Sequence, residues 1–183
     1  MNRYILQNLI NNYRSRGNTS MLRSKRIAWD QLPIFHENAH ELKGAERIKN
    51  YCMGGNAVVT LSSPSGVHHT YYIRAPWKDD KSNFPEGTRF VYARHSNGKW
   101  LYLGQIVGDG KDLKLTKNSY YGISSPAFRG MKYILRMMNE EFETPMILQH
   151  EGCCSRCGRR LTDPESIERG MGRYCSNHVA AER

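Results

Sequence analysis

The chain's most specific chemistry sits near its C-terminus, in three cysteines and two histidines. Two residues separate Cys154 from Cys157, seventeen separate Cys157 from Cys175, and two separate Cys175 from His178. The pattern C-x2-C-x17-C-x2-H has the separations of a structural zinc site. Zinc takes four tetrahedral ligands from thiolate and imidazole. Cys154 and Cys157 can wrap one ion from a tight turn, which Gly158 allows to close. Cys175 supplies a third thiolate. His178, at the start of a short terminal helix, is one candidate for the fourth position. His150, three residues ahead of Cys154, is the other, by folding back onto the same ion. Cys153 is spare, because adjacent side chains rarely reach one metal together with a third thiol. Four protein ligands leave no open position for water, so the site is structural; only a three-ligand site would reopen hydrolytic chemistry. Each histidine has an ordinary reading as a surface residue. Without a metal, the tail has almost no stabilising core.

Arg156, Arg159, Arg160, Arg169 and Arg173 surround these ligands. They either bind phosphate or pair with Glu151, Asp163, Glu165 and Glu168. Asp163 or Thr162 can cap a helix of one to two turns that starts at Pro164.

The run Cys154-Ser-Arg-Cys157-Gly-Arg-Arg-Leu-Thr-Asp-Pro-Glu-Ser-Ile-Glu-Arg-Gly170-Met-Gly-Arg-Tyr-Cys175 resembles a cysteine-rich domain of unknown function found in phage and prophage proteins. That domain has the rough pattern CxRCGRxLTxPESIxxGxGPxC. Gly55 to Gly66, Tyr102-Leu-Gly104 and His150-Glu-Gly152 resemble the strand-rich region that precedes it, so the likeness extends over residues 54–178. The resemblance implies zinc and phage origin rather than an activity. It favours His150 as fourth ligand, where the local spacing favours His178. Arg173-Tyr174 stands where the family has Pro before the last Cys, which changes the last turn and not the ligands.

A second constellation lies in the middle of the chain. Alternation along the strands separates Val67, His69, Tyr71 and Ile73 from His68, Thr70, Tyr72 and Arg74, and Leu101 and Leu103 from Trp100 and Tyr102. With the aliphatic set facing the core, the other face presents Tyr72, Trp100 and Tyr102 near Arg74, Arg94 and Lys99. Rings that stack on bases beside cations that hold phosphate form a platform for single-stranded nucleic acid. The plainer reading is packing in a half-buried sheet. His68 and His69 point to opposite faces and cannot share an ion. Asp79-Asp80 reads as a solvated acidic turn. No phosphate-binding glycine loop and no Ser/His/Asp arrangement is evident.

The elements that must position these groups follow from periodicity. Ile5, Leu6, Leu9, Ile10 and Tyr13 predict a helix over 3–15, and Gly17 its stop. Leu42 to Met53 predicts a second helix, ended by Gly54-Gly55. Val58 to Ser62 and Val67 to Arg74 form one hairpin around Pro64-Ser-Gly66. Arg89 to Arg94 and Lys99 to Val107 form another around Asn97-Gly98. Leu113 to Thr116 is a last short strand. Ser125 and Pro126 open an amphipathic helix with Phe128, Met131, Ile134, Leu135 and Met138 on one face. The reading is α+β: an antiparallel five-stranded sheet or small barrel with one packed helix, a helical N-terminal arm and a C-terminal zinc-binding module. The parts are residues 1–53, 54–145 and 146–183.

Composition narrows the function. The chain has 183 residues and 27 Lys plus Arg against 17 Asp plus Glu, a net charge of +10. The surplus lies in residues 1–150, since 151–183 carry six basic and five acidic groups. A surplus of this size favours an anionic partner. No apolar run spans a bilayer, so no membrane partner is expected. Residues 1–20 are not a secretory signal. An odd count of five cysteines, four of them clustered, fits a reducing cytosol better than a disulfide frame. The expectation is therefore a cytoplasmic, non-enzymatic, phage-encoded protein containing zinc and binding DNA or RNA. The alternatives are a modulator that binds a host protein and, more weakly, a metal-dependent nuclease.

Overall fold

The computed structural model describes residues 39–76 and 83–181. The helix over 3–15 and the acidic turn at Asp79-Asp80 lie outside the described residues. In chain order the elements are β1 (His40–Glu41), α1 (Ala45–Cys52), β2 (Asn56–Ser62), β3 (His68–Arg74), β4 (Arg89–Arg94) and β5 (Trp100–Val107). They continue with β6 (Asp112–Lys114), α2 (Pro126–Asn139), β7 (Ile147–His150), α3 (Pro164–Arg169) and α4 (Arg173–Ala181).

The strands form one open antiparallel sheet in the order β1-β7-β2-β3-β4-β5-β6. The expected five strands are therefore seven, and the sheet is not closed into a barrel. The two additional strands have a common origin. After β6 the chain crosses the sheet as α2 and returns as β7, which inserts between β1 and β2. His150 pairs with His40 on one side and Val59 on the other. Neither β1 nor β7 is long enough to alternate visibly by itself. β1 exists because β7 supplies its hydrogen bonds, and β7 because β2 and β1 flank it.

The two expected hairpins form. Ser63 N–H donates to the Val67 carbonyl at 2.8 Å, and His95 N–H to the Lys99 carbonyl at 2.8 Å. One core unites the sheet with α1 and α2. It holds Ile48, Tyr51 and Cys52 of α1, Met131, Ile134, Leu135 and Met138 of α2, and Val59, Tyr71, Ile73, Val91, Leu103 and Leu148 of the sheet. Helix α2 begins as expected, with the Ser125 side chain accepting the Phe128 N–H and Pro126 in the first turn.

The three-part division of the chain is finer than the packing. Leu42 and α1 belong to the main core although they lie in the expected N-terminal arm. The β7 strand belongs to the sheet although it lies in the expected tail. β2 starts and β7 ends at the same end of the sheet, where the cysteine module begins. The turns at 63–67 and 95–99 and the loop 115–125 lie at the opposite end.

Candidate metal centre

The module is built on a turn. Gly158 N–H donates to the Cys154 carbonyl at 2.9 Å, and Cys154 N–H to the Arg159 carbonyl at 2.8 Å. A bridge between Cys153 and Arg160 and the bond from Leu161 N–H to the Gly152 carbonyl (2.8 Å) close the ribbon on either side. Gly158 takes a φ of +72°, the left-handed conformation the turn requires. The chain then enters α3, where Asp163 caps by accepting the Ser166 N–H at 3.0 Å and Pro164 occupies the first turn. Gly170 ends it with φ +70°. Two residues later α4 begins, and it carries Cys175.

These elements bring the sulfurs of Cys154, Cys157 and Cys175 within 4.8 Å of one another. Cys154 is buried, and the other two are half-buried. The electrostatics suit a thiolate at Cys154. A hydrogen bond from Cys157 and the backbone N–H groups of Cys157, Gly172 and Arg156 hold the Cys154 thiol well below its ordinary range, against the effect of burial. Gly172 N–H lies 3.5 Å from its sulfur. Cys157 is pushed up in turn by the negative partner it donates to, and then by burial. Three sulfurs so close, with N–H groups already aimed at one of them, form a donor set that could hold a metal ion. Among the described residues this is the only such group of three or more His, Cys, Asp or Glu side chains. All five cysteines are free thiols.

The two histidines take different places. His178 lies in α4, three positions after Cys175, the spacing at which helical residues share a face; its side chain is outside the described residues. His150 is not one of the gathered ligands. Its ring is buried between His40 (5.4 Å between centroids) and Tyr51 (4.7 Å). Its Nδ1 accepts the Gly152 N–H at 3.2 Å. Burial, and next the neighbouring His40, lower its pKa to about 4. His150 is a core residue at the root of the module because β7 carries it into the sheet interior. Cys153 is also apart from the group, as expected.

Tyr51 is the residue that sequence reasoning missed. It is 1% exposed. Its hydroxyl donates to the Cys153 carbonyl at 3.1 Å, and the Val58 carbonyl lies at 3.4 Å. A Cβ on Gly170 would come within 2.2 Å of its ring. One side chain of α1 thus ties the cysteine ribbon, the end of α3 and β2 together. Asn56 N–H to the Ser155 carbonyl (2.6 Å) and Ser155 N–H to the Gly170 carbonyl (3.0 Å) complete the joint. No local signal marks Tyr51, since all its partners are distant in sequence except Val58.

The arginines divide. Arg169 and Arg173 each lie 3.9 Å from Glu165, and Arg156 donates to the Cys175 carbonyl at 3.2 Å. Arg159 and Arg160 are both exposed. Glu168 is met by Arg47 of α1.

The aromatic constellation also forms, with a correction. Tyr72, Tyr92, Trp100 and Tyr102 gather on the second face of the sheet, with Tyr72 5.9 Å from Trp100 and Tyr92 5.4 Å from Tyr102. Trp100 and Arg74, expected to be exposed, are each only 8% exposed. Arg74 lies over Phe90 and Tyr92, at 4.9 and 5.8 Å from their ring centroids, and donates to the Ala75 carbonyl at 3.0 Å. Arg94 lies 6.0 Å over Trp100. Tyr72 donates to Asn56 Oδ1 at 2.9 Å, and Tyr102 is half-buried. Lys99 alone of the six is fully on the surface. The rings pack against each other and beneath the guanidinium groups, so this face is a second, smaller core.

Residues 149–179 match a family of unknown function, DUF6011. No curated protein and no solved structure matches the chain. No helix among the described residues is long and apolar enough to cross a membrane.

Proposed function

We propose that the C-terminal module is a structural zinc site, and that the protein is a non-enzymatic nucleic-acid-binding protein whose fold that site completes. The gathering of Cys154, Cys157 and Cys175 carries this reading. Three thiolates suit zinc better than hard cations, and His178 is the fourth ligand the helix spacing offers. A closed four-ligand sphere has no open position for catalysis, so zinc here holds the ribbon and α4 in shape. The net charge of +10 supports a polyanionic partner. Five free thiols suit a reducing cytoplasm. Phage origin rests on the likeness of the tail alone.

Metal analysis of protein purified without chelator is expected to give about one zinc per chain. A folded, metal-free protein would overturn the zinc assignment. Oligonucleotide binding across a salt series is expected to weaken steeply as salt rises. Absence of binding at low salt, with a host protein recovered instead, would favour the modulator reading.

A further inference from the structure

We infer that single-stranded nucleic acid is gripped at the loop end of the sheet remote from the metal, by Tyr120 with Lys99 and Lys117, and not on the aromatic sheet face. This rests on the nucleic-acid reading above and locates its surface.

The loop end has the parts the sheet face lacks. Tyr120 is 64% exposed, against 8% for Trp100. Its backbone is fixed, since its N–H donates to the Tyr102 carbonyl at 2.8 Å. Its ring meets His95 and Tyr121 edge-on, at 6.1 and 5.1 Å between centroids, so it is held while most of it remains in solvent. Ile123, in the same loop, is 71% exposed. Such a ring offers a base a stacking surface that needs no matching sequence.

Among the described residues, the charge around it has one sign. No Asp or Glu occurs in residues 47–76, 87–108 or 113–139, the segments that supply both hairpin turns, the 115–125 loop and α2. Lys99 leaves the β4–β5 turn, Lys117 precedes Tyr120, and Arg129 lies in the first turns of α2; all three are exposed. The nearby carboxylates lie elsewhere: Asp109 and Asp112 are at the β5–β6 turn, where Lys49 and Lys132 pair with them at 2.9 and 3.0 Å. Among the described residues, phosphate at the loop end meets cations without competing acids. An exposed ring face stacks on an unpaired base and not on one already stacked within a duplex, so it favours an unpaired strand.

The test is anisotropy of a labelled oligothymidine and a labelled duplex against the full chain. Tyr120→Ala is expected to weaken single-strand binding roughly 5- to 100-fold, and Tyr120→Phe to retain it. Lys99→Glu with Lys117→Glu is expected to reduce the log–log salt slope by about 1.4, at about 0.7 per phosphate contact. Lys111→Glu with Arg136→Glu makes the same change of net charge at the opposite end and is expected to leave the slope nearly unchanged. Wild-type binding that these loop variants retain in full would overturn the location and leave the nucleic-acid reading standing. Preference for the duplex would overturn the unpaired-strand assignment. A wild-type chain that binds no oligonucleotide at low salt would overturn both.

Discussion

The sheet and the cysteine module are held by different means. The sheet has α1 and α2 on one face, a continuous aliphatic core and a second aromatic cluster on the other. The buried apolar core of the module is Cys154, Leu161 and Met171. Two of its thiols, Cys157 and Cys175, are only half-buried. A cluster that small cannot offset the chain entropy of its ribbon and two short helices. The contrast shows where a metal would act: bound by Cys154, Cys157 and Cys175, its binding energy would be folding energy for the module far more than for the sheet.

Ligand loss therefore separates the two regions most sharply. Cys157→Ser is expected to lower metal affinity by more than the roughly 100-fold typical of losing an outer-shell partner. Hydrogen exchange should then lose protection across residues 152–177 while β2 to β5 keep theirs. Uniform loss across both regions would show that the sheet also depends on the metal.

The joint between the regions gives the next effect. Gly170→Ala forces a methyl into the Tyr51 ring at a residue with φ +70°. Left-handed strain and overpacking of a buried ring together are expected to cost about 2–4 kcal/mol. Gly66, in the turn at the other end, has φ +82° and nothing within 4 Å of a built Cβ. There the same substitution costs only the backbone strain, about 1–2 kcal/mol. Denaturant midpoints of the two variants measure the difference; equal losses would remove Tyr51 from the account.

That joint was also the least legible part of the sequence. The strands at 56–62, 68–74, 89–94 and 100–107, the cap at Ser125 and the cap at Asp163 follow from local patterns: alternation, turn residues and capping side chains. The three cysteines follow from spacing. By contrast, β1 and β7 are two and four residues long, and their pairing partners are about 110 residues apart. His150 reads as a ligand or a surface group because local sequence does not reveal that β7 is interior. Trp100 and Arg74 read as exposed for the same reason: alternation tells which face a residue occupies, not what covers that face.

Two neighbours at the joint set a pH dependence. Burial pushes Glu151 up from 4.5 to about 7, with one carboxylate oxygen buried and lacking a hydrogen bond among the described residues. Its folded pKa is raised, so its protonated form is favoured on folding, and stability falls as pH rises from about 4.5 to 7. His150 is lowered from 6.5 to about 4, chiefly by burial. Its neutral form is favoured, so stability falls as pH drops from 6.5 to 4. Between 4.5 and 6.5 the two trends oppose each other. Glu151→Gln removes one of them and is expected to stabilise the protein at pH 8 by about 1–3 kcal/mol, discounted for the carboxyl's remaining solvent contact. At pH 4 the gain should vanish. A variant that tracks the wild type at both pH values would deny Glu151 a buried charge that Arg94 offsets only in part.

The smallest expected effect compares one device used in both regions. Ser125 caps α2 and Asp163 caps α3, each accepting the N–H three residues on, at 3.2 and 3.0 Å. Ser125→Ala is expected to cost about 1 kcal/mol of global stability. Helix α2 is fourteen residues long and anchored by Met131, Ile134, Leu135 and Met138, so it persists and only its first turn frays. Helix α3 has six residues, with Ser166 its one buried side chain. Losing Asp163 there should not lower the sheet's midpoint. It should appear instead as faster exchange at Ser166 and Ile167 and as easier metal loss to a chelator, because α3 spans the gap between Cys157 and Cys175. If Asp163→Ala left chelation kinetics untouched while Ser125→Ala shifted them, the dependence of each region on its own supports would be reversed.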